Sequence, residues 1–426
     1  MPTFDKGFLI GASTAAHQVE GNNIHSDYWT MEHMKSTSFL EPSLDAVDHY
    51  NRYEEDITLL AEAGLNAYRF SIEWARVEPK CGEFDDNEIA HYEKMIDFCR
   101  ANGVEPIVTL HHFTSPKWLI EKGGWECEET VKYFARYCGY VAEKLGEKLS
   151  YVCTINEANM GLQLSLIAKR YMRQLIFGKK KQTDGKAQVG VNLQHMLENM
   201  KIARVENVEV FGREKLHTFV SSRTEEGDLL IARAHVAARE AIKKEAPHAK
   251  VGLTLSLHDM QYTKVGKAHA MKEWHREFGH YLPYIKDDDF LGVQNYTRYE
   301  FGLFGQKEPP KDAEMTQMNY EFYPEAIGNV VRAVAKDFGG EILITENGIA
   351  TADDSRRCEF IRLALSGVKK CIDDGIKISG YCHWSLLDNF EWQKGYSMTF
   401  GLIAVDRKTQ TRYPKESLYL LGKYAK

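Results

Sequence analysis

Eight short apolar runs, nearly every one followed by a stretch of helical periodicity, restrict the fold of this chain more than any other feature. They occupy residues 8–16, 67–74, 106–113, 150–156, 251–257, 290–296, 342–344 and 378–386. Each has the length and composition of a buried strand. Between the first two, Tyr50, Tyr53, Ile57, Leu60 and Ala61 recur at helical spacing within residues 46–63, and Gly64 ends that helix. Further helices are predicted over about 87–101, 128–145, 226–245 and 415–424. Consecutive strand–helix units imply parallel strands joined by right-handed crossovers. Eight of them favour a closed (β/α)₈ TIM barrel over an open sheet. The chain has no GxGxxG loop and no P-loop, which counts against a nucleotide-binding open sheet. No internal repeat or linker divides it, so residues 1–426 are expected to form one barrel domain. Residues 160–225 have the weakest pattern. Within them 164–176 reads as helix, whereas 178–190 is polar and rich in Lys and Gly. This region is predicted to be an elaborated loop after the fourth strand.

Charge and cysteine usage remove several classes of function. A net charge of −7 argues against non-specific nucleic-acid binding, and the largest basic cluster is only Lys179-Lys180-Lys181. No window approaches 18 uninterrupted apolar residues, so no membrane span is predicted. The N-terminus, Met1-Pro2-Thr3-Phe4-Asp5-Lys6, lacks the pattern of a signal peptide, and a cytoplasmic location is expected. The eight Cys are scattered without a CxxC pair and are expected to be reduced. Neither a metal site nor a cofactor is indicated.

In a barrel the strand C-termini converge on one rim. That rim would carry Gln18, Arg69, His112, Asn156, Glu157, Tyr296, Glu346 and Trp384, with Glu391 and Trp392 just beyond. The set holds carboxylates from different strands, a cation, a phenol, amides and indoles. It has no Cys–His pair and no serine elbow. Such a lining suits a polar, uncharged, ring-shaped substrate: indoles stack on sugar C–H faces, and amides and carboxylates bind hydroxyls. Two carboxylates flanking a glycosidic bond are the working pair of glycoside hydrolysis. Taken singly, each Glu could equally be half of a structural ion pair. Both standing at strand ends, with partners suited to opposite protonation states, favours chemistry.

Several segments carry a resemblance to a known family. Thr154-Ile155-Asn156-Glu157 resembles the T-x-N-E-P motif of family 1 glycoside hydrolases, and Ile344-Thr345-Glu346-Asn347-Gly348 matches their I/V-T-E-N-G. Ala46-Val47-Asp48-His49-Tyr50, Tyr68-Arg69-Phe70-Ser71-Ile72-Glu73-Trp74 and the stretch from Trp384 to Trp392 are similar to further family segments, in family order. The resemblance implies a retaining β-glycosidase, β-glucosidase-like, with Glu346 as nucleophile and Glu157 as general acid/base. Arg69 and Tyr296 would hold Glu346 ionised, and Asn156 would bind the sugar 2-hydroxyl. Gln18, His112, Glu391 and Trp392 would take the other glycone hydroxyls, with Trp384 as floor and Phe400 beside it. The expected substrates are β-D-glucosides, with β-galactosides and β-fucosides as further candidates.

The alternatives are a 6-phospho-β-glycosidase or a non-catalytic sugar-binding protein on the same scaffold. Glu391 would repel a phosphate dianion where phosphoglycosidases place Ser, and the intact pair of Glu disfavours the binding protein. Glu157 also stands where thioglucosidases carry Gln. Two departures from the family pattern are Ala158 in place of Pro and Gln294 in place of an Asn expected near the aglycone.

Overall fold

Eight parallel strands close on themselves into a barrel. They are β1 (Leu9–Ser13), β2 (Ala67–Ser71), β3 (Glu105–His111), β4 (Tyr151–Ile155), β5 (Lys250–Ser256), β6 (Phe290–Gln294), β7 (Glu341–Asn347) and β8 (Ile378–Trp384). Each strand pairs with the next in sequence, and β1 also pairs with β8, with Leu9 opposite Gly380 and Ser13 opposite Trp384. The computed structural model describes residues 2–176 and 190–425. The lysine run at 179–181 and nearly all of the Lys- and Gly-rich stretch lie outside the described residues.

The strands read as apolar runs because both of their faces are covered, by helices outside and by other strands' side chains inside. Ala67, Ile107, Cys153, Phe290, Leu343 and Cys382 form a layer within the barrel. Side chains two residues further along a strand point the same way. Arg69, Thr109 and Trp384 therefore stand above that layer, toward the C-terminal rim. At the β1–β2 seam, Gly11 has no room for a side chain: a Cβ there would lie 2.2 Å from the Ala67 carbonyl oxygen.

The expected helices are present with small shifts at their ends: His49–Glu62, Asp86–Ala101, Glu129–Leu145, Glu225–Glu245 and Glu416–Gly422. The connection after β4 is more regular than its sequence suggested. Helices cover Met160–Ile176, Leu193–Glu198 and Met200–Phe211. Beyond β5 and β6 the chain adds a small three-stranded sheet from Asp259–Tyr262, Arg298–Gly302 and Gly305–Gln306. Its strands are short and partly exposed, so no apolar run announced them.

The C-terminal hairpin, Ile403–Val405 with Arg412–Pro414, is tied to the barrel by a buried charge network. Arg412 Nε and Nη2 donate to Asp56 at 2.8 and 3.0 Å, and His49 Nδ1 lies 2.7 Å from the same carboxylate. Tyr68 of β2 meets His49 Nε2 at 3.0 Å. Removing one partner of a buried pair strands the other charge. Asp56→Ala is expected to cost about 3–5 kcal/mol, read as a lower denaturant midpoint.

Candidate active site

Glu346 sits where β7 is irregular. The register of β7 against both neighbours slips around Thr345, and bulges of this kind re-aim side chains at barrel rims. The freed Thr345 carbonyl accepts from Ser13 Oγ at 2.7 Å and from Arg69 Nη1 at 3.4 Å. The Glu346 carboxylate then receives Arg69 Nη1 at 2.6 Å and the Tyr296 hydroxyl at 2.5 Å. Arg69 is fully buried and also donates to Thr109 Oγ1 at 3.0 Å through Nε and to Asn156 Oδ1 at 2.6 Å through Nη2. Burial holds the Tyr296 phenol well above its usual pKa, so it stays protonated and donates.

Glu157 is the second residue after β4 and is buried beside Glu346, with its backbone N–H donating to Thr254 Oγ1 at 3.0 Å. Burial pushes its carboxyl well above the usual range, and the neighbouring Glu346 charge pushes it the same way. Burial raises Glu346 too, but Arg69 and Tyr296 oppose that rise. Of the pair, Glu346 ionises first and Glu157 keeps its proton. Three non-glycine residues at this rim hold left-handed backbone: Phe113 (φ 70°), Glu157 (φ 43°) and Trp392 (φ 48°). Such backbone costs about 1–3 kcal/mol per residue and persists only where the surroundings fix it.

Asn156 is the junction of the site. Its Oδ1 accepts from Arg69 Nη2 and from Gln294 Nε2, the latter at 2.7 Å. Its Nδ2 must therefore be the donor in the 3.0 Å contact with His112 Nε2. Burial, then the Arg69 charge, hold His112 well below its usual pKa, so the ring is neutral and its proton is on Nδ1. That Nδ1 is buried without a protein partner, a donor available to a hydroxyl. Gln294 is fully buried at the end of β6, where its side chain reaches both Asn156 and Glu346.

The remaining rim residues close the pocket. Gln18 Nε2 donates to the Phe390 carbonyl at 2.7 Å and lies 3.4 Å from Glu391 Oε2, while its Oε1 is buried and unpaired. Burial lifts Glu391 to about 8, opposed by the Gly190 backbone N–H. The His112 ring stacks toward Trp384 and Trp392 at 5.7 and 6.2 Å. Phe400 packs edge-on to Tyr296 at 6.1 Å. The structure thus brings the ten rim residues expected from the sequence together, with Phe400 against Tyr296 beside them. His17, His111, His235 and His383 stay outside it as buried structural histidines.

Sequence reasoning missed Tyr320, Met318 and Thr254. Tyr320 and Met318 pack with Tyr296, Trp384 and Phe400, and the Tyr320 hydroxyl is buried without a partner. Tyr320 also lines a cavity of about 240 Å³ together with Arg298, Glu300, Lys307, Pro310 and Glu321. The only hint in the sequence is the aromatic cluster Tyr320, Phe322 and Tyr323 in an otherwise polar connection. Among the described residues no group of His, Cys, Asp and Glu is placed to hold a metal ion, and no helix is long and apolar enough to cross a membrane.

Buried paired carboxylates with unpaired donors, acceptors and indoles around them form a site that can cleave an acetal and hold a sugar. The family profile described as glycosyl hydrolase family 1 matches residues 1–200 and 280–426. Beta-glucosidase A of Thermotoga maritima is 30% identical over 98% of this chain and 96% of its own length. A 6-phospho-beta-galactosidase of Staphylococcus haemolyticus is 27% identical over 98% and 97% of the two chains. The solved beta-glycosidase BGL167 superposes with a TM-score of 0.86 at 41% identity, covering 99% of this chain and 97% of that one. The chain therefore belongs to glycosyl hydrolase family 1 and is a β-glycosidase, a hydrolase of O-glycosyl bonds.

Proposed function

We propose that the enzyme is a retaining β-glycosidase acting on β-D-glucosides, with Glu346 as nucleophile and Glu157 as general acid/base. The observation that carries this reading is the asymmetry of the two carboxylates: Glu346 has a cation and a phenol, whereas burial and the charge of Glu346 hold Glu157 protonated. Glu346 attacks the anomeric carbon as Glu157 gives its proton to the departing oxygen. Esterification removes the Glu346 charge, so the pKa of Glu157 falls and it takes a proton from the incoming water. Attack by that water releases the sugar with its β-configuration and restores both groups. Asn156 Nδ2, His112 Nδ1, Gln18 Oε1 and Glu391 supply the glycone's hydrogen bonds, over Trp384 and beside Trp392 and Phe400. The leaving group has the charged and polar cavity beyond Tyr320 as its room, which favours a saccharide or another hydroxylated aglycone. The whole chain works as one catalytic domain. A cytoplasmic setting is part of the same proposal, supported by all eight cysteines being free thiols.

The phosphoglycoside reading has relatives in its favour, but Glu391 stands where phosphoglycosidases place Ser, and its carboxyl supplies no positive charge to a phosphate dianion. The test is a panel of p-nitrophenyl β-glucoside, β-galactoside, β-fucoside and their 6-phosphates, with the first-formed anomer read by NMR. Highest kcat/KM on the glucoside with a β-product is expected. Preference for a 6-phosphate, or an α-product, overturns the proposal.

The pH profile follows from the same pair. Glu346 must be charged, so activity is lost as pH falls through its pKa. Glu157 must be protonated, so activity is lost as pH rises through its own. Tyr296→Phe removes a hydrogen bond to the charged form of Glu346 and raises that pKa. The acid limb of kcat/KM is expected to move up by about one pH unit, since a hydrogen bond to a charged group is worth roughly 1.5–3 kcal/mol. An acid limb that stays in place separates Tyr296 from the nucleophile.

A further inference from the structure

The connection after β4 does not merely border the pocket. On its way back to the barrel, residues 190–192 lie along residues 391–393. Gly190 N–H donates to Glu391 Oε1 at 3.0 Å, Gln393 N–H donates to the Gly190 carbonyl at 3.0 Å, and Asn192 N–H donates to Gln393 Oε1 at 2.6 Å. Gly190, Val191 and Asn192 are all buried. A Cβ on Gly190 would lie 2.3 Å from the Glu391 carbonyl oxygen and 3.1 Å from its Cγ. Its φ is outside the left-handed region, so glycine is required by the close approach and not by the backbone conformation. Further along, the Glu206 carboxylate accepts the Lys35 and Ser36 N–H groups at 2.8 Å each, which anchors the downstream helix Met200–Phe211 to the loop before β2.

We propose that Gly190 is a positioning residue for glycone recognition: its backbone N–H fixes Oε1 of Glu391, leaving Oε2 beside Gln18 to meet the sugar hydroxyls in one orientation. The proposal rests on Glu391 being a glycone ligand. A buried carboxylate with few partners needs each donor it has, and Gly190 supplies the backbone one. Glycone binding is thereby coupled to a connection lying outside the barrel's own strands. The same tie explains why an otherwise polar and weakly patterned region ends in a glycine that cannot be enlarged.

The test is a double-mutant cycle on p-nitrophenyl β-glucoside with Gly190→Ala, Glu391→Gln and their combination, each with a pH profile. Gln393→Ala is a companion variant that frees Asn192 without adding volume, so it reports even if Gly190→Ala does not fold. Gly190→Ala is expected to lower kcat/KM about 10- to 100-fold, the range for one hydrogen bond to a charged group, and Gln393→Ala, which loosens residues 190–192 without removing that bond, by about threefold to tenfold, the range for one neutral hydrogen bond. The acid limb, which belongs to Glu346, should stay in place, because the lost N–H acts on Glu391. The kcat/KM losses should nearly vanish in the Glu391→Gln background. Losses that multiply in the double variant, or wild-type kcat/KM in Gly190→Ala, overturn the positioning role alone. A Glu391→Gln variant with wild-type kcat/KM overturns the reading of Glu391 as a glycone ligand, and the positioning role with it.

Discussion

Glu346→Gly is expected to abolish hydrolysis of p-nitrophenyl β-glucoside, and azide or formate to restore part of the turnover with inverted configuration. The expected loss in kcat is more than about 10⁴-fold, since removing a nucleophile that works as part of a unit costs of that order or more. The rescue follows from what the substitution leaves behind. Arg69 Nη1 and the Tyr296 hydroxyl, which held the carboxylate at 2.6 and 2.5 Å, now face an empty volume of the right size and charge for a small anion. Azide in that volume attacks the anomeric carbon from the face opposite the leaving group. A C–N bond forms as the C–O bond to nitrophenolate breaks, and the product is the α-glycosyl azide. Glu157 is untouched, so the leaving group can still be protonated. The substitution also strands Arg69 as a buried charge, a cost of about 3–5 kcal/mol. A denaturation curve of the variant therefore belongs beside the kinetics. Folded protein with kcat within tenfold of wild type, or a β-azide product, would place the nucleophile elsewhere.

The barrel was legible because its signal is redundant. Eight buried strands must each be apolar for 4–8 residues, and the helices between them must each repeat at 3.6, so no single misreading changes the count. The site was legible for a related reason. A strand ending puts Arg69, Asn156, Glu157, Tyr296 and Glu346 at a known height, and closure brings those heights together. What escaped lies on the connections. Tyr320, Met318 and Gly190 reach the pocket from long segments whose path is set by packing against distant residues, and no periodicity marks their arrival. Gln294 escaped differently. Its position at the end of β6 was plain, but the direction of its amide depends on Asn156 offering an acceptor already oriented by Arg69.

Those oriented bonds set how the two buried carboxylates are told apart, since burial alone would raise both. Arg69 lies at the centre of that distinction. It favours the charged form of Glu346 directly, and through Asn156 it fixes the tautomer of His112, so one guanidinium prepares both the proposed nucleophile and a proposed glycone donor. A second cation beside Glu157 would erase the asymmetry by letting it ionise. Burial is instead the largest influence on Glu157, followed by the charge of Glu346.

The sharpest test of that asymmetry is Glu157→Ala read across leaving groups. General acid catalysis contributes about 10²–10⁴-fold, and only where the leaving oxygen needs a proton. A β-glucoside with an alkyl or sugar aglycone is expected to lose kcat/KM in that range. A 2,4-dinitrophenyl β-glucoside, whose leaving group departs as a stable anion, is expected to keep kcat/KM within about tenfold of wild type. The same residue activates water in the second step, so the variant should accumulate glycosyl-enzyme on the activated substrate, with a burst and a lowered KM. Azide then attacks the intermediate without needing a base and gives the β-glycosyl azide, the opposite anomer to that from Glu346→Gly. The alkaline limb of the pH profile should also disappear, because in the wild type that limb is the loss of the Glu157 proton as pH rises through its elevated pKa. Equal losses on both classes of substrate would argue for a purely structural Glu157, and an α-azide would argue that it, and not Glu346, carries the sugar.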